Sequence, residues 1–179
     1  MEDRIAALEA RLSELEDERA IAKVLADYSL ALDWLDEKTL DRVFWDDADI
    51  DYGFFKGTGA EFKPILMAFE SGLGRRWHFT SQLRTEIAGN EARATGYNLS
   101  LAIAAVESGD PGGLSGFFGF YNDRLSKRDG RWAISARKHI LVAGTHWDDI
   151  AITGDLSALN TIGATGQHHP DFASVPISG

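Results

Sequence analysis

The chain contains no cysteine. A disulfide framework, a thiolate nucleophile and a cysteine-ligated metal are therefore all excluded. Long apolar runs are missing too. No stretch of about 18 apolar residues occurs, so no transmembrane helix is expected. The opening MEDRIAALEARLSELEDE is too charged to be a signal peptide. With the absence of cysteine, this makes a cytoplasmic location the expectation. Also absent are a GxGxxG turn, a phosphate-binding Walker loop, a GxSxG elbow and an HExxH helix.

What is present is an ordinary globular balance of 44% hydrophobic and 26% charged residues over 179 positions. That suits one domain with a sizeable core. The net charge of −10 is unevenly spread. Residues 1–51 carry 16 acidic and 6 basic side chains, while residues 52–179 carry 12 of each. Phosphate backbones would be repelled by the acidic third, so nucleic acid is not an expected partner. The plainer reading of that third is a solvated acidic helix face.

Ile5, Leu8, Leu12 and Leu15 recur at the a/d spacing of a short coiled-coil seam. About two heptads are too few for a stable isolated coiled coil, so this segment should pack on its own domain or on a partner subunit. The stripe continues through Ile21, Val24, Leu25, Tyr28 and Leu32, predicting a helix over 3–35. A short helix from Glu37 to about Phe44 follows, capped by Asp36 or Thr39. Asp46-Asp47 breaks it, and 48–52 alternates as a strand. Lys56-Gly57-Thr58-Gly59 reads as a turn. Residues 60–73 read as a third helix, with Pro64 in its first turn. Four long β-rich runs come next, over 76–88, 92–107, 114–127 and 131–144, joined by tight turns. Asp129-Gly130 is a strong hairpin signal. Gly96, Gly116 and Gly119 inside the strands predict bends. Residues 148–179 read as an irregular tail lying over the domain, disordered at its end. The order is α+β: three N-terminal helices on a strongly bent, mainly antiparallel sheet enclosing a pocket.

Several polar residues are candidates for chemistry. Asp33 lies near the end of the first helix among Leu30, Ala31, Leu32, Trp34 and Leu35. A carboxylate there is either desolvated and partnered or an exposed helix-end acid. His78 shares a strand face with Thr80 and Gln82, opposite Trp77, Phe79 and Leu83. That polar stripe fits a cavity wall or a hydrogen-bonded core histidine. Arg137 and His139 share a face of the last strand; Arg137 could hold a substrate anion or pair with an acid. His146 lacks partners at metal-ligand spacing, and no metal site is expected. Tyr28 lies five residues before Asp33, some 140° away around an ideal helix. Asn98 is a cavity contact or a satisfied core amide.

The layout resembles the SnoaL-like branch of the nuclear-transport-factor-2-like superfamily over about residues 15–145. The resemblance rests on Ile21 to Asp33, on Leu40 to Ala48, and on Trp77-His78-Phe79-Thr80. Tyr121-Asn122-Asp123-Arg124-Leu125 followed by Arg128-Asp129-Gly130-Arg131-Trp132 completes it. It implies an NTF2-like cone over 15–147, a helical extension over 1–14 and a tail over 148–179. It also implies a lyase pair formed by Asp33 and His78, with Tyr28 and Arg137 matching further active-site positions in such enzymes. His78 would be the base, Asp33 its orienting carboxylate and Tyr28 a donor, with Arg137 or Asn98 holding developing charge. No cofactor is required for that chemistry. A second acid or histidine expected on the second long strand is replaced by Asn98. Trp34, Phe54, Phe55, Trp77, Phe118 and Phe120 are candidate walls of a pocket for a small hydrophobic ring, with about half expected in the core. The alternative is a non-catalytic ligand-binding protein, or an assembly subunit like the small chains of ring-hydroxylating dioxygenases. The apolar outer sheet face should be covered in a homodimer or homotrimer.

Overall fold

The computed structural model describes residues 1–104, 113–148, 150, 153–161 and 163–176. The end of the second long run and the turn at 109–113 fall largely outside these residues, as does the extreme C-terminus. Helix α1 spans Glu2–Trp34, α2 Glu37–Val43 and α3 Gly59–Ser71. Strands β1 (Phe44–Asp51), β2 (Lys56–Thr58), β3 (Leu73–Ala88), β4 (Glu91–Ala104), β5 (Gly113–Arg128) and β6 (Arg131–Asp148) form one sheet in the order β2-β1-β6-β5-β4-β3. Only the β1–β6 contact is parallel; the other neighbours are antiparallel.

Local chemistry explains most boundaries. Asp36 caps α2, its carboxylate accepting from the Thr39 backbone at 3.3 Å and the Thr39 hydroxyl at 2.6 Å. Thr58 and Glu61 form a reciprocal capping box at the start of α3. Pro64 sits in the second turn rather than the first. Both it and Ala60, whose carbonyl loses a donor, are exposed, so the missing bond falls on the solvent side of the helix. Asp129 and Gly130 both adopt left-handed backbone, with φ 50° and 77°, the geometry of the tight turn joining β5 to β6. β1 begins four residues earlier than the alternation suggests. Its register against β6 shifts between Phe44 and Asp49, which carries Asp46 and Asp47 outward to Lys63 and Arg128.

The core lies between the helices and the inner sheet face. Ile21, Leu25 and Leu32 of α1 meet Leu40, Phe44, Ile50, Phe62, Leu125, Trp132 and Ile134, all almost fully buried. Burial of such side chains contributes about 1.5–3 kcal/mol each. Register shifts at Ser81/Arg84, Phe118/Gly119 and Arg124/Leu125 bend the sheet around this core.

The C-terminal segment does lie over the domain, but with defined short 3-10 turns at Gly154–Ala158 and Pro170–Ser174. It closes the end of α1. The Thr165 hydroxyl donates to the Asp33 carbonyl, and Gln167 Nε2 donates to the Leu35 carbonyl at 2.9 Å. Those carbonyls end a helix and lack intrahelical donors. Trp34 packs on His169 and Phe172 of the same segment, with ring centroids 5.7 and 5.8 Å away.

Candidate functional site

The end of α1 and the start of β3 bring Asp33 and His78 together. Nδ1 of His78 lies 2.8 Å from Asp33 Oδ1, and the His78 backbone N–H donates to Asp33 Oδ2 at 3.2 Å. The carboxylate thus grips one residue through both oxygens. Because a carboxylate oxygen only accepts, Nδ1 donates in this contact, and in the neutral form of the ring the lone pair lies on Nε2, the atom that faces α3. Asp33 sits at the negative end of the helix dipole, and α1 has no basic residue in its last turn. The compensation comes from β3, through His78 and Arg76.

Two residues that the sequence reading did not single out complete the cluster. Glu70, on the last turn of α3, places Oε1 3.5 Å from His78 Nε2. Arg76 lies two residues before His78 on the same strand face. It donates from Nη1 to the Asp33 carbonyl at 3.4 Å and the Thr165 carbonyl at 3.2 Å, and from Nη2 to the Leu73 carbonyl at 2.8 Å. Its Nε approaches Glu70 Oε2 only to 3.8 Å, and both atoms are buried without a hydrogen-bond partner. Burial pushes the Glu70 carboxyl up from its usual range; the positive charge of His78 and Arg76 opposes this, and Asp33 adds to it. Two carboxyls, one guanidinium and one imidazole are neutral as a group when Glu70 and His78 share a single proton. A signal for Glu70 was present: it continues the apolar stripe Phe62, Leu66 of α3 at four-residue spacing.

The other expected site residues are placed differently. Tyr28 is buried, its hydroxyl 2.7 Å from that of Tyr52 and its ring edge-on to Phe44 and Tyr121. It joins the Tyr52–Tyr121–Arg137 group, not Asp33 and His78, as the helical angle between them requires. Desolvation holds its hydroxyl well above the ordinary phenol range. Of the two places expected for Arg137, the structure shows the pairing with an acid. Arg137 is bound two-pronged by Asp123, Nε to Oδ1 at 2.8 Å and Nη2 to Oδ2 at 2.7 Å, and lies 4.2 and 4.1 Å from the ring centres of Tyr28 and Tyr121. His139 stacks on Tyr52 at 5.0 Å, and burial followed by the Arg137 charge lowers its pKa, favouring the neutral ring. Asn98 Nδ2 donates to Tyr121 Oη at 3.0 Å, leaving Oδ1 buried and unpartnered beside Gly119. A side chain at Gly119 would strike the Ile140 carbonyl and crowd Asn98 Oδ1 and His139 Nε2.

The expected aromatic wall needs correction. Trp77, Phe118 and Phe120 lie on the outer sheet face. Trp77 stacks on Phe79 at 5.7 Å, Phe120 meets Tyr97 at 6.2 Å and Phe118 meets Trp147 at 6.3 Å. Strand parity puts them opposite His78, whatever their apolar character. Trp34 is taken by the C-terminal segment, Phe54 is exposed in the β1–β2 turn, and Phe55 packs on Phe62. Gln82 leaves the polar stripe as well. It has φ 52° at the β3 register shift and is exposed. His146 contacts Ser115 Oγ at 3.3 Å. Among the described residues no group of three His, Asp or Glu side chains suits a metal ion. No helix there is long and apolar enough to cross a membrane. A cleft of about 930 Å³ on the outer sheet face is lined by Asp51, Arg84, Arg93, Arg124 and Lys138, away from the Asp33–His78 pair.

Three helices on a bent six-stranded sheet, with an acid from the first helix gripping a histidine at the start of the third strand, define an α+β cone of the NTF2-like type. The chain belongs to the SnoaL-like domain family, whose profile matches residues 13–138. The fold is shared with the hexachlorocyclohexane dehydrochlorinase LinA-type3 from Novosphingobium barchaimii LL02, at 22% identity and a TM-score of 0.69, covering 80% of this chain and 99% of that one. A scytalone dehydratase-like protein from Novosphingobium aromaticivorans aligns at 21% identity and TM-score 0.65, covering 87% and 96%. An NTF2-like superfamily protein from Salmonella enterica serovar Typhimurium aligns at 14% and 0.61, covering 74% and 94%. Comparison with curated proteins finds no match.

Proposed function

We propose that the protein is a lyase of the dehydratase type, removing a proton and a neighbouring hydroxyl from a small cyclic hydrophobic molecule. The observation that carries this reading is a single imidazole held at Nδ1 by Asp33 and faced at Nε2 by the buried carboxyl of Glu70. The fold shared with a dehydrochlorinase and a scytalone dehydratase-like protein supports the same class.

Elimination is redox-neutral and needs one base and one acid. Nε2 of His78 takes the proton from the substrate carbon, and that electron pair becomes the double bond. Asp33 stabilises the imidazolium that forms. The C–O bond breaks as Glu70, carrying the proton that burial favours, protonates the departing hydroxyl, which leaves as water. The imidazolium then returns its proton to the Glu70 carboxylate, and both groups are reset. The substrate enters between Nε2 and Glu70, opening their 3.5 Å contact. Glu70 thus supplies the second acid that Asn98 cannot. The unpartnered Asn98 Oδ1, on the same inner face, suits a hydroxyl or N–H donor of the substrate.

The test uses a panel of cyclic β-hydroxyketones. Enone absorbance follows elimination, and exchange of the α-proton with deuterated water follows the base step alone. His78→Ala and Asp33→Asn should abolish both, by about 10²–10⁴-fold for loss of the base. Glu70→Gln should block elimination while α-exchange persists. Full activity in His78→Ala, or no turnover of the panel by the wild type, refutes the reading.

A second reading is favoured by the exposed aromatics of the outer face, Trp77, Phe79, Tyr97 and Trp147. It is a non-catalytic subunit that assembles through this sheet, either with itself as a homodimer or homotrimer or with a larger chain. Wild-type protein inert on the panel and soluble only with a larger partner would select it.

A further inference from the structure

The first turns of α1 stand clear of the domain. Residues 2–16 are all exposed; Asp17, which accepts from Lys127 Nζ at 2.7 Å and Trp132 Nε1 at 2.8 Å, is the first anchored position. This arm is about 22 Å long at helical rise. It carries Ile5, Leu8, Leu12 and Leu15, each half exposed or more. The expected continuity of this stripe with Ile21, Leu25, Tyr28 and Leu32 does not hold. At 100° per residue the two sets point about 150° apart. The arm's seam is a separate surface facing away from the side that α1 buries in its own domain.

The charges flanking the seam specify what covers it. With Ile5 and Leu12 at a, and Leu8 and Leu15 at d, Arg4 and Arg11 occupy g and Glu9 and Glu16 occupy e. In a parallel pair, each g residue meets the e residue five positions on in the other helix, giving Arg4 with Glu9 and Arg11 with Glu16, twice over. An antiparallel pair would set g against g and e against e, arginine on arginine and glutamate on glutamate. None of the four has an ion-pair partner within the chain among the described residues. Arg19 at the next a position ends the seam. We propose that the arm is a self-association element: it pairs in parallel with the arm of a second copy of this chain, through Ile5, Leu8, Leu12 and Leu15.

Two heptads are too short to form a coiled coil alone, because nucleation of the helix is costly. Here the lower half of α1, packed into the core, already nucleates the helix. The arm loses little further backbone freedom on pairing.

Light scattering coupled to size exclusion tests this on the full chain at micromolar concentration, where a multiple of 19.6 kDa is expected. Arg4→Glu/Arg11→Glu and, separately, Glu9→Arg/Glu16→Arg should each weaken association at least about tenfold. An equal mixture of the two variants should restore it, since every g–e contact is then opposite in sign. Leu8→Cys in this cysteine-free chain should oxidise to a covalent dimer, because d faces d in the parallel arrangement. All these positions are exposed in the single chain, so circular dichroism melts should show the domain unchanged. A monomeric wild type, an oligomer indifferent to the charge changes, or a mixture no stronger than either variant would each overturn the proposal.

Discussion

Removing Asp123 should unfold much of this protein's stability margin. Its carboxylate and the Arg137 guanidinium are 2% and 1% exposed, and they share two short hydrogen bonds. Replacing Asp123 by Ala strands a buried cation without the carboxylate that pairs it. The flanking rings of Tyr28 and Tyr121 offer the cation only their faces. Breaking one side of a buried pair costs about 3–5 kcal/mol. For a chain of this size each kcal/mol lowers the melting temperature by about 2–4 °C, so Asp123→Ala should melt about 6–20 °C below wild type. Arg137→Met should cost a similar amount, since it strands the carboxylate. The double variant Asp123→Leu/Arg137→Met should recover most of the loss, because no buried charge remains. Equilibrium urea unfolding followed by far-ultraviolet circular dichroism gives the three differences and their coupling. An Asp123→Ala protein within about 1 kcal/mol of wild type would refute the assignment. If Arg137 instead held a substrate anion, Arg137→Met would leave stability alone and raise KM.

Two further outcomes follow from the charged groups. Burial raises the Glu70 carboxyl above 4.5, its value in the unfolded chain. The folded state therefore holds this proton longer, and its contribution to stability is full below about pH 4.5 and lost as pH rises through the raised value. Urea midpoints should decline across that window in wild type and flatten in Glu70→Gln; equal slopes would show that Glu70 is not the buried proton carrier. Asp17 is held below 3.8 by its bonds to Lys127 and Trp132, and its contribution is present above 3.8 and lost as pH falls through the lowered value. Asp17→Asn should cost about 1–2 kcal/mol near neutral pH. A penalty that persists unchanged in acid would sink this account.

Much of the architecture was legible because it is written in local periodicity. The four long strands, the Asp129-Gly130 hairpin and the three helices follow from alternation, turn chemistry and helical spacing. β2 escaped because three residues carry no period, and its pairing with β1 supplies its identity. The upper stripe of α1 was traced into the lower one because both have spacings of three and four. Only the angle accumulated between Leu15 and Ile21 shows that they face apart. The docking of the C-terminal segment was not legible, because Thr165 and Gln167 bind the open end of α1 and Phe172 packs on Trp34, contacts between segments more than 130 residues apart.

The site was legible to a different depth. Parity put His78 and Trp77 on opposite faces of β3, and the structure keeps them there. Placing Trp77, Phe118 and Phe120 around a pocket followed their chemical type against that parity, and parity prevails because a one-residue slip would turn every side chain of the strand over. The same rule identifies Arg76, two residues before His78, as a neighbour of Asp33. Glu70 is the harder case. An acid on the apolar stripe of a helix costs free energy unless something nearby holds its proton or its charge. Its position on α3 therefore implied a buried basic partner, but nothing within the helix could say that the partner was a histidine 3.5 Å away on β3. That information lies in the packing of α3 against the start of β3. The resemblance points to an acid on β4, where Asn98 stands; the buried carboxyl beside His78 comes instead from Glu70, on the helix side of the cone.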